Sequence, residues 1–262
     1  LNDRRRVDRL LAAAVPLARA MDAHVVGLGI LPPFVVIPAM DGAGASVTVD
    51  EHRVAYRAEL AHIKSAFTAA TASLARPAEW REVDAGLGTT AAALIQVARM
   101  ADLVVLSQAD REWPSSALLE DPARVAMECG RPVLLIPNEG DVVVPPKRIT
   151  VAWNGKREAA RATFDALPLL AGASDVDVLS IRGDRDPQVA GDVPGAEISA
   201  TLARHGVRCT ASEATAAGVD VGRELMRRAE AFGSELLVMG CYGHSRLREL
   251  ILGGASRDVL SH

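Results

Sequence analysis

The chain has 262 residues, a formal net charge of −4 at pH 7 and 49% hydrophobic residues, although only 3% are aromatic. This length allows one large domain or two of ordinary size, and the composition suits parallel sheets covered by Ala-rich helices. Nothing in it resembles a nucleic-acid-binding surface, since no block of Lys and Arg exceeds Arg4-Arg5-Arg6.

The first half alternates between helical patterns and short apolar runs. Its helices are predicted around Arg9 to Leu17, over Val49 to Ala72 and from Ala91, where Gly86 to Thr90 is a loop that supplies the N-cap. Its strands are predicted at His24 to Ile30, Ala101 to Leu106 and Arg131 to Pro137. The apolar stretch His24 to Met40 contains two glycines and three prolines, so we expect no membrane span there.

The second half has the same alternation. The predicted strands are Ile149 to Ala152, Val176 to Ile181, about Val207 to Ala211, and Leu236 to Met239. The predicted helices begin near Asn154 as an N-cap, run over about Ala196 to His205 with Gly206 as the stop, and run from Val221 to Phe232 before Gly233. This βαβ pattern predicts parallel strands with right-handed crossovers.

The two halves repeat each other. Arg9 to Leu17 and Arg161 to Leu169 are both helical patterns with a proline at the same place, 152 positions apart. A period near half the chain predicts two copies of one domain, residues 1–139 and 145–262, joined by the proline-bounded linker Pro137 to Pro146. In this alignment the first copy lacks its opening strand and the second lacks its last, so we expect the natural protein to have further residues at both ends.

Cysteine and histidine usage argues against disulfides and structural zinc. Cys129, Cys209 and Cys241 are odd in number and widely spaced, which predicts a reducing, cytoplasmic location. We interpret Cys129 and Cys209 as core residues and Cys241 as a tolerated small residue. The six histidines have no metal-ligand spacing.

The segment GCYGHSRLRELILGGAS, Gly240 to Ser256, follows the last predicted strand directly. Ligands of open parallel sheets bind beyond the carboxyl ends of the strands, where glycines allow a close approach of the backbone. Gly253 and Gly254 precede a short helical pattern whose first N–H groups would attract an anion, and Arg246, with His244 or Arg248, would neutralise phosphate charge. Spacing alone leaves a simple glycine-rich turn as an equal alternative.

Other glycine patterns in the chain do not indicate nucleotide binding. There is no G-x-x-x-x-G-K-[ST], which argues against a P-loop NTPase. Gly27-Leu28-Gly29 lacks a third glycine at the dinucleotide spacing and lies within a strand pattern. We therefore interpret it, like Gly86 to Thr90, as structural.

The segment resembles the G-x2-G-x9-G-[ST] signature of ATP-binding universal stress proteins, with Gly240, Gly243 and Gly253 at its glycine positions. The flanking text VMGCYGHSRLRELILGGASRDVL is similar to bacterial, especially tandem-domain, members. The resemblance implies an α/β fold of two tandem, doubly wound, Rossmann-like parallel-sheet domains, each with five strands in the family. The first strand of domain 1 and the last of domain 2 are apparently absent from this chain.

The same resemblance implies a set of ATP-binding residues. Those flanking adenosine would be Ala152, Trp153 and Asn154, and the backbone at Ile181 or Arg182 would meet adenine. Met239, Gly240 and Gly243 would line the ribose and α-phosphate. The outer phosphates would be held by Gly253, Gly254, Ala255 and Ser256.

This chain departs from the family pattern at two places. Asn154 stands where the family commonly has Asp, so its contact with ribose or a metal becomes neutral, and Gly254 stands where the signature has Ser or Thr. The first copy has no glycines after Leu106, and Glu120 and Asp121 fall near the expected phosphate donors, where they would repel an anion. We therefore predict one nucleotide site per chain, in the second half, binding ATP with or without Mg²⁺.

Three functions remain open at this point. The leading hypothesis is a cytoplasmic, ATP-binding stress-response sensor or regulator that is a homodimer or an intramolecular pseudo-dimer and binds neither nucleic acid nor membrane. The second is a slow ATPase or a nucleotide-dependent transferase, although no catalytic residue is predicted because a lone Glu249 is more often solvated. The third is a scaffold that binds no nucleotide.

Overall fold

The computed structural model describes residues 1, 3–33, 49–109, 121–182 and 194–241, with the side chains of residues 49–52 left out. The chain divides into two compact units, Leu1–Val142 and Val143–His262. Among the described residues, no helix is both long enough and apolar enough to cross a membrane.

The first unit is built of alternating helices and strands. Its parallel strand pairs are β1 with β2 and β3 with β4. The elements in chain order are α1 (Arg4–Met21), β1 (Val26–Leu31), α2 (Val49–Thr71), β2 (Glu79–Asp84), α3 (Thr90–Ala98), β3 (Val104–Ser107), α4 (Pro122–Glu128) and β4 (Val133–Ile136).

The second unit contains one four-stranded parallel sheet in the order β7-β6-β5-β8. Its elements in chain order are β5 (Arg148–Ala152), α5 (Arg157–Asp165), α6 (Leu167–Ala171), β6 (Asp175–Arg182), α7 (Ala196–Arg204), β7 (Cys209–Thr215), α8 (Val221–Phe232) and β8 (Leu236–Val238). The fold class is therefore α/β with parallel strands, as the alternating pattern predicts.

Helices cover both faces of the second sheet. On one face, Val151 and Val178 pack with Leu170 of α6 and Leu202 of α7 in a buried cluster. On the other face, Leu179, Ala214 and Leu225 of α8 form a smaller one. Since successive side chains of a strand point to opposite faces, both clusters draw on the same strands.

Gly27 and Gly29 in β1 have a packing role, which supports the structural interpretation of this pair. A Cβ atom built on Gly27 would lie 2.7 Å from Phe67 of α2 and 2.8 Å from Trp80 of β2, and one on Gly29 would lie 2.7 Å from Trp80. The aromatic rings of Phe67 and Trp80 therefore occupy the space that side chains on β1 would need, with 5.5 Å between their centroids.

Most predicted elements are present, with shifts at their ends. The helices predicted over Val49 to Ala72 and Val221 to Phe232 are α2 and α8, and Gly206 and Gly233 have the positive φ that ends a helix. Thr89 is the N-cap of α3, as expected, and accepts a hydrogen bond from the Ala92 N–H. The strand predicted at about Val207 to Ala211 instead runs Cys209–Thr215, because Val207 still belongs to the turn that closes α7, bonded to Leu202.

Two main-chain hydrogen bonds join a residue before α1 and the residue after β5 to neighbouring strands. The amino group of Leu1 donates to the Leu28 carbonyl at 2.7 Å, and the Trp153 N–H donates to the Leu179 carbonyl at 2.8 Å. Leu1 and Trp153 are the residues that the repeat aligns. The predicted lack of an opening strand in the first copy stays a prediction, and the predicted lack of a last strand in the second copy concerns residues 242–262, outside the described residues.

Asp177 is a buried carboxyl group within the second sheet. It lies on β6 beside Thr150 of β5, and only 7% of the residue is exposed. Burial raises the pKa of Asp177 above its ordinary value of 3.8, because the charged form loses its hydration. The native state therefore holds this proton more tightly than the unfolded chain does.

We expect Asp177→Asn to increase the free energy of unfolding at pH 7. In the wild type, stability from this group falls as pH rises through 3.8 towards the raised pKa, and a neutral amide removes that dependence. Urea denaturation at several pH values between 4 and 7 measures the difference, which should shrink towards the acidic end. Asp175→Asn, at the exposed start of the same strand, is the control. An Asp177→Asn protein no more stable than the wild type at pH 7 would contradict the expectation.

Candidate functional site

The candidate site lies at the carboxyl edge of the second sheet. The chain passes from β5 to β6 and β7 on one side, then returns to place β8 on the other side of β5. The ends of β5 and β8 thus flank the point at which the strand order reverses, where open parallel sheets have a crevice. Because Val151 is the register partner of Val238, the following residues, Ala152 and Met239, leave the sheet side by side.

Ala152 and Trp153 belong to opposite faces of this edge. Ala152 packs against the cluster under α8, whereas Trp153 packs against the cluster under α6 and α7. Trp153 also borders Gly195, the residue before α7, since a Cβ built on Gly195 would lie 3.6 Å from its Cδ1 atom. Trp153 is therefore held at the sheet edge in two ways: its half-buried indole packs against the cluster under α6 and α7, and its main-chain N–H donates to the Leu179 carbonyl of β6.

The predicted N-cap at Asn154 is wrong. Asn154 is exposed, and its Oδ1 accepts a hydrogen bond from the Lys156 N–H at 3.0 Å, within a turn in which Gly155 has a φ of 69°. The N-cap of α5 is Lys156, which makes no capping bond with its side chain. The helix begins two residues later than predicted because the asparagine stabilises the turn and not the first helical N–H groups.

The N-terminus of α5 adjoins the site and is rich in charge. Arg157 Nε donates to Glu158 Oε1 at 2.5 Å, and this bond holds the pKa of the Glu158 carboxyl below its usual range. Lys156 and Arg157 are exposed, so the first turn of α5 presents two cations and one paired carboxylate. Since a helix N-terminus has positive partial charge, this region favours an anion.

Gly240 has a packing role that the sequence interpretation did not foresee. A Cβ atom on Gly240 would lie 2.4 Å from the carbonyl carbon of Glu158 and 2.6 Å from the Ala159 nitrogen. Both are backbone atoms of the first turn of α5, which cannot move aside as a flexible side chain can. Gly240 therefore allows the chain leaving β8 to pass directly over this helix N-terminus, whereas the sequence suggested only an approach to ligand.

Ile181 and Arg182 lie at the end of β6. Ile181 packs against the cluster under α8, and Arg182 forms an ion pair with Glu213 of β7. The Arg182 carbonyl already accepts a hydrogen bond from the Ala216 N–H at 2.8 Å. Arg182 thus has contacts within the sheet, which makes Ile181 the better candidate of the two for a backbone contact with a base.

The remaining predicted site residues lie outside the described residues. They are Gly243, His244, Arg246, Gly253, Gly254, Ala255 and Ser256. Of the fourteen predicted site residues, the described ones come together at the ends of β5, β6 and β8. Gly195 was missed from the sequence, although the Pro194-Gly195 dipeptide is a turn signal that could have indicated it.

The three cysteines do not form a redox pair. Cys129 is buried, and Cys209 and Cys241 are partly buried free thiols. Burial raises the pKa of the Cys241 thiol, so it is less reactive than an exposed cysteine. Within the part of the chain that the structure covers, no three His, Cys, Asp or Glu side chains are grouped to hold a metal ion.

In the first unit, Asp121 has a structural role. It is the N-cap of α4, and its carboxylate accepts a hydrogen bond from the Arg124 N–H at 3.0 Å. Glu120, its predicted companion in repelling an anion, lies outside the described residues. The acidic character of Asp121 is therefore explained by capping, whether or not it also repels phosphate.

Comparison with solved structures shows which fold this is. A universal stress protein from Archaeoglobus fulgidus superimposes with a TM-score of 0.68 at 12% identity, covering 94% of this chain and 86% of that one. A universal stress family protein from Burkholderia pseudomallei (24% identity, 37% and 83% covered) gives a TM-score of 0.30. A universal stress protein in complex with cAMP (22% identity, 52% and 90% covered) gives 0.36.

The fold of the chain is thus that of the A. fulgidus universal stress protein. No family model matches the sequence. No curated protein matches it either.

Proposed function

We propose that the second unit binds ATP at the carboxyl edge of its sheet and that the chain is a tandem-domain universal stress protein acting as a nucleotide-dependent sensor or regulator. The observation that carries the proposal is the position of β8. It ends beside β5 at the reversal of strand order, so the glycine signature that starts at Gly240 leaves the sheet where a nucleotide would bind.

The first turn of α5 supports a phosphate-binding role for this edge. Gly240 lies against the backbone of Glu158 and Ala159, so the glycine segment begins beside the N-terminus of α5. The side chain of the N-cap residue, Lys156, makes no capping hydrogen bond to this helix. Lys156 and Arg157 add positive charge there. In the proposed complex, Gly243, Gly253 and Gly254 supply backbone N–H groups to the phosphates and Ser256 supplies a hydroxyl.

The adenosine is proposed to lie between the ends of β5 and β6. Trp153 provides an aromatic edge next to Gly195, and the base is proposed to meet the backbone at Ile181 because the Arg182 carbonyl already accepts the Ala216 N–H. Asn154 offers a neutral amide whose oxygen already accepts a bond from Lys156. Because this contact brings no carboxylate, Mg²⁺ in the proposed complex is held through the ATP phosphates.

The first unit is proposed to be the structural or regulatory partner of the second. The two units would form a pseudo-dimer within one chain, or two chains would form a homodimer. Sedimentation equilibrium of the full chain with and without ATP separates these arrangements, because only the homodimer doubles the mass.

Isothermal titration of the full chain with ATP, ADP and AMP tests the proposed function, with cAMP as a comparison ligand. We expect one ATP per chain and a loss of affinity of at least about 100-fold from ATP to AMP, since AMP lacks both outer phosphates and each charged hydrogen bond to them contributes roughly 1.5–3 kcal/mol. Release of inorganic phosphate, measured in parallel, should be negligible for a sensor and steady for an ATPase. If no nucleotide gives detectable heat, the proposal is contradicted, and the hypothesis of a scaffold that binds no nucleotide remains.

A further inference from the structure

The first unit contains a small cavity that the proposed ATP site does not use. It lies where the carboxyl ends of β3 and β4 meet the first turns of α1, and its volume is about 180 Å³. Its polar lining consists of Asp3, Arg5, Arg6, Arg9, Ser107 and Asn138. Three guanidinium groups against one carboxylate leave two net positive charges around the cavity, in a chain whose overall charge is negative.

Arg9 is fixed at the cavity without losing its charge. Its Nε donates to the Pro137 carbonyl at 2.5 Å, and its Nη2 donates to the carbonyls of Glu139, at 2.7 Å, and Gly140. Carbonyl oxygens orient a guanidinium but carry no net charge, so this side chain remains a full cation. A guanidinium has five N–H donors, and the bonds described for Arg9 use those of Nε and Nη2 but not those of Nη1.

Asp3 offsets only part of the positive charge. Its carboxylate accepts a hydrogen bond from the Arg5 N–H at 2.9 Å and lies 3.3 Å from Nε of Arg6 and 3.6 Å from Nε of Arg5. The carbonyl of Asp3 accepts the N–H groups of Arg6 and Val7. The N–H groups of Arg5, Arg6 and Val7 are thus already bonded to Asp3, and we attribute the attraction for an anion to the guanidinium groups and not to the helix end.

We propose that this cavity binds a phosphate group, either free phosphate or the phosphate of a small ester. Guanidinium groups match the oxygens of phosphate in geometry and charge, and hydroxyl and amide groups such as those of Ser107 and Asn138 complete such sites. The cavity is smaller than the roughly 300–1,000 Å³ typical of drug-sized ligands, so a whole nucleotide does not suit it. The first unit would then have a ligand of its own, separate from ATP.

Titration of the full chain with inorganic phosphate and with glycerol 3-phosphate, at constant ionic strength, tests the assignment. The titrations use a Gly243→Val, Gly253→Val background, which removes the proposed triphosphate loop of the second unit as a competing site. We expect at least one of the two ligands to bind, and Arg5→Gln to raise its dissociation constant by about tenfold, the loss expected for one charged hydrogen bond. Arg5 is 58% exposed at its side chain, so the substitution leaves the core untouched.

Arg4→Gln is the matched control, because Arg4 is the exposed neighbour on the same helix and does not line the cavity. It removes the same charge and should leave the dissociation constant within about twofold of the parent, as expected for a screened surface charge. If Arg4→Gln and Arg5→Gln raise the dissociation constant equally, the binding depends only on the general surface charge, and the proposal is overturned. Absence of binding by both ligands would also overturn it, and neither result would bear on ATP binding by the second unit.

Discussion

Gly240→Ala is expected to lower the free energy of unfolding of the second unit by about 2–3 kcal/mol, the upper part of the range for overpacking. The added Cβ would lie 2.4 Å from the Glu158 carbonyl carbon and 2.6 Å from the Ala159 nitrogen. Since these are backbone atoms of α5, relief requires a movement of the helix or of the chain leaving β8. Urea denaturation followed by far-ultraviolet circular dichroism measures the loss.

Gly172→Ala is the control for this prediction. Gly172 ends α6 with an ordinary helical φ of −88°, and a Cβ built there would lie 3.6 Å from its nearest neighbour, the Leu169 carbonyl oxygen. Alanine at such a position should be neutral or slightly stabilising. Similar unfolding energies for Gly240→Ala and Gly172→Ala would show that Gly240 does not need to be a glycine for packing.

The double variant Gly243→Val, Gly253→Val is expected to weaken ATP binding by at least about 100-fold. The loss is expected because the phosphates are proposed to bind backbone N–H groups at these glycines. A branched side chain at either position would keep the phosphates away from those groups. Two charged hydrogen bonds at roughly 1.5–3 kcal/mol each account for a loss of this size. Isothermal titration with ATP measures it on the full chain.

Two comparisons make the double variant interpretable. Circular dichroism and urea denaturation should match the wild type, which separates a lost site from a lost fold. Gly172→Ala should bind ATP as the wild type does, because it changes a glycine outside the signature. Unchanged ATP affinity in the double variant would exclude the glycine segment as the phosphate-binding element.

The sequence correctly predicted the ends of helices that are set by a single capping residue or a glycine with positive φ. α8 stops where Gly233 adopts a φ of 72°, and α3 starts where the Thr89 side chain accepts a bond from Ala92. Both signals depend on one or two residues, so they can be interpreted without knowing the tertiary structure.

Elements that depend on distant partners were harder to predict. β2, with the sequence EWREVD, was not predicted because only two of its six residues are apolar. It is a strand because Trp80 fills the space over Gly27 and Gly29 of β1, a contact invisible in the local pattern. Tertiary packing decides such strands more than propensity does.

In the described part of the candidate site, too, local features were predictable and contacts between distant segments were not. The sequence indicated which residues end β5 and β8, and the strand order brings them together. It could not indicate that Gly240 lies against α5 or that Arg182 pairs with Glu213 of β7, since both contacts join segments far apart in the chain. The glycines also have mixed roles, because a close approach to backbone and a close approach to ligand require the same residue type.

The most direct test of the central claim is a crystal structure of the full chain soaked with ATP. The account predicts nucleotide density in the second unit only, with the phosphates against the backbone of residues 240–256 and the base near Trp153 and Ile181. Density confined to the first unit, or a chain that remains without nucleotide at saturating ATP, would contradict it.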